Sequence, residues 1–324
     1  VYSSSPGAID GLLWYGEPEV VIKNSQMLVP RVLADDISNE VYNAKRRRFP
    51  KLVEPTEPIE ISRDVVSGDS IIACSRALDL PDDHLPVQVE LSVALNDEDE
   101  SPCFLCYGIV NTQASDSAAV LTLSATESSI ARIHKDVSSN SLDILDMDAV
   151  VLTKVANFMI ASVMVAQMSS HGTTLVCGVS DQLSGAIRLL AADAGRKVLF
   201  VTTSSKDRQN GVADVVYIHP QSSARIFQRK IPRDTVAVCG FSKRDTDAIS
   251  PWLPAGLSVQ RFHVSTLLQK SVEEAIGSYL TYKERVVLGS NPEVLKIHQV
   301  SEHLSPNPVR LSYVTDWKRD GPVT

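Results

Sequence analysis

The stretch Thr173 to Gln209, "TTLVCGVSDQLSGAIRLLAADAGRKVLFVTTSSKDRQ", decides how the rest of the chain is read. A short apolar run (Leu175, Val176, Cys177) meets a turn at Gly178, and a helical pattern follows from about Gln182 to Ala194. Gly195 stands where a left-handed residue closes a helix, and a second apolar run, Lys197 to Val201, ends in a polar loop. Strand, helix and strand in this order form a βαβ unit, which requires a parallel sheet.

A turn of this kind binds a dinucleotide only when it carries three small residues. One makes the tight turn, one lets the pyrophosphate approach bare backbone, and one packs helix on strand. The turn here reads Gly178-Val179-Ser180-Asp181-Gln182-Leu183-Ser184-Gly185-Ala186. Gly178 can make the turn, and Gly185 or Ala186 can take the packing position. Val179 and Asp181 occupy the middle, where phosphate needs space and free N–H groups. A carboxylate at a helix N-terminus satisfies those groups and the helix dipole itself, so Asp181 is expected to take the anion's place and to repel one. Losing two or three charge-assisted bonds of about 1.5–3 kcal/mol each removes on the order of 4–8 kcal/mol, enough to carry a micromolar site beyond millimolar. The second loop, "TTSSKDRQ", sets Ser204, Ser205, Lys206 and Arg208 where a ribose 2′-phosphate would be held; an ordinary polar loop has the same composition.

Outward from this unit, alternation continues. An apolar helix over Val151 to Met168 precedes it, with the acidic "DILDMDA" before its first turn. After it come a strand at Val215–Ile218, a helix at Ala224–Lys230, a strand at Thr235–Cys239 and another strand beyond Pro254. Residues 61–140 are different: "SIIACSRAL", "VQVELSVAL", "PCFLCYGIV", "AAVLTLSA" and "SSIARIH" are short β-rich runs between turn clusters, which predict a small β lobe, an incomplete barrel. Residues 1–60 predict two short strands, Glu19–Ile22 and Gln26–Val29, and then a Pro-rich connector with prolines at 50, 55 and 58. Residues 266–324 hold a helix at Val272–Lys283 and the strand-like "ERVVL" and "VLKIHQV", ending in "RLSYVTDWKRDGPVT". The expected division is therefore 1–60, 61–140, 141–265 and 266–324. No internal repeat stands out.

Composition narrows the function. A chain of 324 residues, 44% hydrophobic and 22% charged, is expected to fold into a globular protein of about two lobes. Its net charge of −8 opposes nucleic acid as the main partner, and the one dense basic run, "KRRRF" at 45–49, reads as a solvated linker or a local salt-bridge element. Five cysteines and no secretory leader suit a reducing, cytoplasmic setting. "CFLC" has no second cysteine or histidine pair, so two thiols in a strand are expected rather than zinc, and "NDEDES" lacks the glycine and terminal Glu of a calcium loop. Lys154, Asn157 and Gln167 make the apolar helix a buried one rather than a membrane span. The seven histidines (84, 134, 171, 219, 263, 298, 303) are scattered, and neither G-x-S-x-G nor H-E-x-x-H occurs. No catalytic residue and no metal ligand is assigned.

The order of parts resembles the enoyl reductase of the medium-chain reductase family, as it occurs inside fungal highly reducing iterative polyketide synthases. "YGEPEVVIKNSQMLVPRVLADDISNE" resembles the segment leading into that domain, "CFLCYGIVNTQASDSAAVLTLSATESSIARI" its β lobe, and "VTDWKRDGPVT" the connector that opens the ketoreductase. The resemblance runs from about Tyr15 to Thr324, and both ends of the chain read as cut from something larger. Within the family it is nearest the inactive, pseudo-enoyl-reductase type, found also in polyketide synthase–peptide synthetase hybrids. The resemblance implies a fold with a degenerate small β lobe and a Rossmann-like doubly wound parallel sheet. It implies NADPH as the cofactor of active members, and none here. Gly178, Ser180, Ser184, Gly185, Ser204, Ser205, Lys206 and Arg208 are then relict positions. The implied partners are the neighbouring ketoreductase and structural domains of one transferase-class synthase, a homodimer contact, and an enoyl reductase acting in trans.

Two other readings stay open. One is an active NADPH-dependent enoyl-thioester reductase with an atypical loop. In it, Lys206 and Arg208 hold the 2′-phosphate while Ser180 and Ser184 contact the pyrophosphate. The other is a standalone α/β interaction protein.

Overall fold

The computed structural model describes residues 21–23, 26–28, 58–63, 70–74, 83–95, 103–111, 117–135, 147–203, 215–219, 221–241, 243–263, 266–267, 269–282, 285, 292–296 and 313–318. The chain divides into two units, Val1–Lys51 and Leu52–Thr324. In the first, β1 (Val21–Lys23) and β2 (Gln26–Leu28) pair antiparallel, with Val21 opposite Leu28. These are the two strands expected in the lead-in, shifted by one or two residues.

The second unit opens with seven strands: β3 (Ile59–Arg63), β4 (Ser70–Cys74), β5 (His84–Ala94), β6 (Phe104–Asn111), β7 (Ser117–Ser124), β8 (Glu127–Ser128) and β9 (Ile130–His134). β5, β6 and β7 form an antiparallel meander, β9 pairs with the first half of β5, and β4-β3-β8 form a separate small sheet. Alternation explains β5: Val87 and Val89 are buried while Pro86 and Gln88 are exposed. A register shift between Val89 and Leu91 then resets the phase, so that beyond it Ser92 and Ala94 continue the face of Val87 and Val89 while Leu91, Val93 and Leu95 turn to the opposite, main core.

Helix α1 (Ala149–Gln167) follows. Asp148 caps it, its carboxylate accepting the Val151 N–H at 2.7 Å, as the acidic run before the helix predicts. At the other end the Arg196 guanidinium donates to the carbonyls of Val165 and Met168, supplying partners to the last turn. Among the described residues α1 is the one helix long and apolar enough to cross a membrane, yet 61% of its apolar window is buried inside the protein. It is the centre of the main core. Leu152, Phe158, Met159 and Met164 join Val93, Leu105 and Leu121 of the β lobe on one hand and Val176, Leu183 and Phe200 of the second layer on the other.

That layer contains β10 (Thr173–Cys177), α2 (Asp181–Asp193), β11 (Lys197–Thr202), β12 (Val215–Tyr217), α3 (Ala224–Lys230), β13 (Thr235–Gly240), α4 (Lys243–Ile249) and β14 (Ser258–Arg261). The sheet is parallel throughout, in the order β12-β11-β10-β13-β14. Numbered from β10, this is 3-2-1-4-5, the first five places of the dinucleotide-binding order. Both faces are covered, as a parallel sheet requires. Val176, Phe200 and Cys239 face α1 and α2, while Leu175, Cys177, Val201 and Val238 pack with Phe227 of α3 and Ile249 of α4. Gly195 closes α2 with φ +65°, and the Arg196 N–H reaches back to the Ala191 carbonyl at 2.8 Å. Helix α4 is one of the elements the sequence reading lacks, with β3 and the C-terminal strand at Tyr313–Asp316. The seven residues of α4 are polar-rich, and among those whose burial is described Thr246 and Ile249 are the buried ones, too few for a visible period.

The last described elements are α5 (Gln269–Tyr282), β15 (Glu293–Lys296) and β16 (Tyr313–Asp316). α5 packs Val272, Ala275, Tyr279 and Tyr282 into the α1 core, with Tyr282 stacked on Phe158 at 6.0 Å. "ERVVL" lies outside the described residues except for Arg285. β16 returns to the β lobe, pairing antiparallel with β5 and parallel with β15. Trp317, 3% exposed, donates its Nε1–H to Ser92 Oγ at 2.8 Å and its backbone N–H to Glu90 O at 2.9 Å. Trp317→Ala is therefore expected to destabilise the chain by about 3–5 kcal/mol, read as a lower urea midpoint. Trp317→Phe, which loses mainly the bond to Ser92, should cost about 1–2 kcal/mol.

Candidate functional site

In an open doubly wound sheet, ligands bind outside the carboxyl ends of the strands, where the strand order reverses. Here that place lies between β10 and β13. The two strands end in related sequences, Val176-Cys177-Gly178-Val179-Ser180 and Val238-Cys239-Gly240-Phe241-Ser242, a Val-Cys-Gly-x-Ser echo on either side of the reversal. This recurrence is too short to register as a repeat and gains meaning only once the two strands are neighbours.

On the β10 side, Gly178 makes the turn with φ +75°, a conformation that side chains other than glycine's rarely accept. Val179 packs against the main core. Ser180, not Asp181, is the helix cap: its backbone is extended and its Oγ accepts the Leu183 N–H at 3.3 Å. Asp181 is the first residue of α2, exposed, and its carboxylate adds negative charge to the positive end of the helix dipole. Ser184 is 5% exposed and donates its hydroxyl to the Asp181 carbonyl at 2.8 Å. It is a buried back-bonding serine, turned away from any anion.

The packing glycine expected at 185 or 186 resolves in favour of Ala186. Ala186 is fully buried against the core, whereas a Cβ built on Gly185 would have nothing within 4 Å. Helical spacing explains it, since the buried face of α2 runs Leu183, Ala186, Ile187. Ser204, Ser205, Lys206 and Arg208 lie outside the described residues.

On the β13 side, Gly240 is the residue sequence reasoning missed. A Cβ there would stand 2.0 Å from Thr246 Oγ1 and 3.3 Å from Cys177 Sγ, so α4 crosses at a distance only glycine permits. The Phe241 N–H donates to Cys177 O at 3.1 Å and the Phe262 N–H to Gly240 O at 2.9 Å, tying the ends of β10, β13 and β14 together. Phe241 and Phe262, 4% and 2% exposed, stack at 5.6 Å beside them. Burial pushes the Cys239 thiol up to about 11, so it stays protonated and unreactive at neutral pH. From behind, Asn157 of α1 donates to Thr153 O at 2.8 Å and lies 3.4 Å from Gln182 Oε1 in the first turn of α2; its own Oδ1, buried, has no partner.

The first turn of α2 is thus capped by its own Ser180, and Asp181 adds a carboxylate at the same end. Among the described residues no acid–base pair is gathered at these strand ends. His84 and His134 pair with Asp83 at the edge of the β lobe, at 2.7 and 3.4 Å, where the His84 bond holds the Asp83 carboxyl below its ordinary range. Of the "CFLC" thiols, Cys106 is buried in β6 and Cys103 half-buried ahead of it, and among the described residues no cluster of three or more His, Cys, Asp or Glu could hold a metal.

With the geometry in hand, comparison with known proteins gives the class first. The chain matches the CurK enoyl reductase with a TM-score of 0.51 at 10% identity, over 80% of this chain and 99% of that one. It matches a putative NADPH:quinone reductase from Bacillus thuringiensis at 0.56 and 11% identity, over 80% and 99%. The fold is that of the medium-chain reductases, with an enoyl-reductase-like arrangement of lobes. No family model matches the sequence. Relatives are fungal. The chain is 26% identical over 269 residues to the polyketide synthase–nonribosomal peptide synthetase ACE1 of Pyricularia oryzae, covering 78% of this chain and 7% of that protein. It is 24% identical over 342 residues to the hybrid synthetase iliA of a Neonectria species, covering 97% and 8%. It is 28% identical over 272 residues to the highly reducing polyketide synthase ACTTS3 of Alternaria alternata, covering 83% and 10%. The chain thus spans a tenth or less of the length of these relatives.

Two substitutions test the site as described. Ser180→Ala should cost about 1 kcal/mol through the lost cap. Gly240→Ala should cost about 1–3 kcal/mol by overpacking, and adding Thr246→Ala should restore part of that loss, a coupling read from the urea midpoints of the double-mutant cycle.

Proposed function

We propose that this chain is a non-catalytic, pseudo-enoyl-reductase segment of a multidomain fungal polyketide synthase. Its reductase fold serves as a scaffold for neighbouring domains, and enoyl reduction is supplied in trans by a separate reductase. The placement within a synthase rests on the similarity to segments of fungal polyketide synthases and their hybrids. The loss of catalysis rests on one observation above the others: the turn after β10 keeps the glycine that shapes it and replaces those that admit phosphate, with Ser180 and Asp181 satisfying α2 from within. A fold retained without its ligand needs another reason to persist. Packing against a ketoreductase and the structural domain beside it is that reason, and a homodimer contact belongs to the same role.

The competing reading, an active NADPH-dependent reductase, would need Ser180 and Ser184 to bind pyrophosphate, and both hydroxyls are engaged within α2. Calorimetric titration of the chain with NADPH separates the two. The proposal expects no saturation below about 1 mM, whereas a Kd under about 100 μM, about 5.5 kcal/mol or more of binding free energy, contradicts it. The variant Ser180→Gly/Asp181→Gly should bind NADPH no more than about tenfold better, because Val179, Phe241 and Thr246 still hold their places.

A further inference from the structure

Helix α3 is anchored by a single buried side chain, Phe227, which meets Trp252 at 5.8 Å. Most of its remaining surface faces solvent: Arg225, Ile226, Gln228, Arg229 and Lys230 are exposed, and Arg233 is exposed just beyond its end. At ~100° per residue, Arg225, Arg229, Ile226 and Lys230 fall in that order within about 140° of arc. They form one strip with cations on both sides of an isoleucine. Ile226 is 47% exposed, one of four large apolar side chains so exposed among the described residues.

This strip runs against the composition of the chain, which carries 39 acidic and 31 basic residues and a net charge of −8. α3 contains three cations and no anion. The next carboxylate, Asp234, is engaged elsewhere, with Lys197 Nζ at 3.6 Å and Thr173 Oγ1 at 3.1 Å. Lys230 donates to Tyr217 O at 2.9 Å, which fixes its ammonium beside the strip without neutralising it.

We propose that this face of α3 docks an acidic, amphipathic segment of a partner protein, its carboxylates meeting Arg225, Arg229 and Lys230 and an apolar side chain covering Ile226. Charge complementarity selects the acidic partner. The exposed isoleucine selects protein over nucleic acid, because a phosphate backbone has nothing to set against it and would meet the field of an anionic molecule. The surface lies on the α3 side of the parallel sheet and does not depend on whether the site at the strand ends binds a dinucleotide.

The test uses the whole chain and a fluorescein-labelled peptide of Glu-Glu-Leu-Ala repeats, followed by anisotropy. A Kd on the order of tens of micromolar at low salt is expected, weakening as salt is added. Arg225→Glu/Arg229→Glu should weaken binding at least about tenfold and Ile226→Ser about threefold. Arg285→Glu, a charge reversal at an exposed position off this helix, should change it less than about twofold. All these side chains are exposed, and far-ultraviolet circular dichroism verifies that each variant is folded. The proposal falls if the native chain does not bind the peptide, if reversal at 225 and 229 leaves binding unchanged, or if a Gln-Gln-Leu-Ala peptide or an oligouridylate binds as tightly. NADPH binding by the chain would overturn the scaffold reading and leave this one standing.

Discussion

The burial of α1 is the constraint on which the second unit depends. A helix with Leu152, Phe158, Met159, Ile160 and Met164 all at 0% exposure leaves water only a strip that includes Lys154, Ser162 and Ala166, so elements must cover the rest. The β meander supplies one side, α2 and α5 supply the others, and the parallel sheet packs behind α2. The main core is thus shared between the β lobe and the parallel sheet, with a second cluster within the β lobe around Val87, Val89 and Cys106 and a third on the α3 side of the sheet around Phe227. The terminal polar groups of α1 lack partners within the helix, and Asp148 and Arg196 provide them.

That arrangement fixes the turn after β10. Because α2 packs on α1 through Leu183, Ala186 and Ile187, its first turn is held at the carboxyl end of the sheet whether or not a ligand is present. In a cofactor-binding member the phosphate helps to satisfy those N–H groups. Here Ser180 does so, and the Gly240–Thr246 approach closes the opposite side. This helix terminus is therefore satisfied without a ligand, which is what the proposed scaffold role requires.

Much of this was legible in the sequence. The βαβ unit, Gly195 as a helix stop, α3 at Ala224–Lys230 and the five β-lobe runs each have strong local signals: periodicity, caps or turn clusters. The less legible features depend on long-range contact. Which of Ser180 and Asp181 caps α2 is a matter of one residue of phase, and Gly185 and Ala186 differ only in which face of the helix reaches the core. Gly240 looked like an ordinary residue until α4 was found to cross it. The return of "VTDW" to pair with β5, more than two hundred residues earlier, has no local signature at all.

The most direct measurement of the central claim is turnover. The purified chain should be mixed with NADPH and an excess of an α,β-unsaturated acyl thioester, and nicotinamide absorbance followed at high protein concentration. The account predicts no consumption of NADPH above the protein-free background. Saturable oxidation with formation of the saturated thioester would show a working reductase and contradict it.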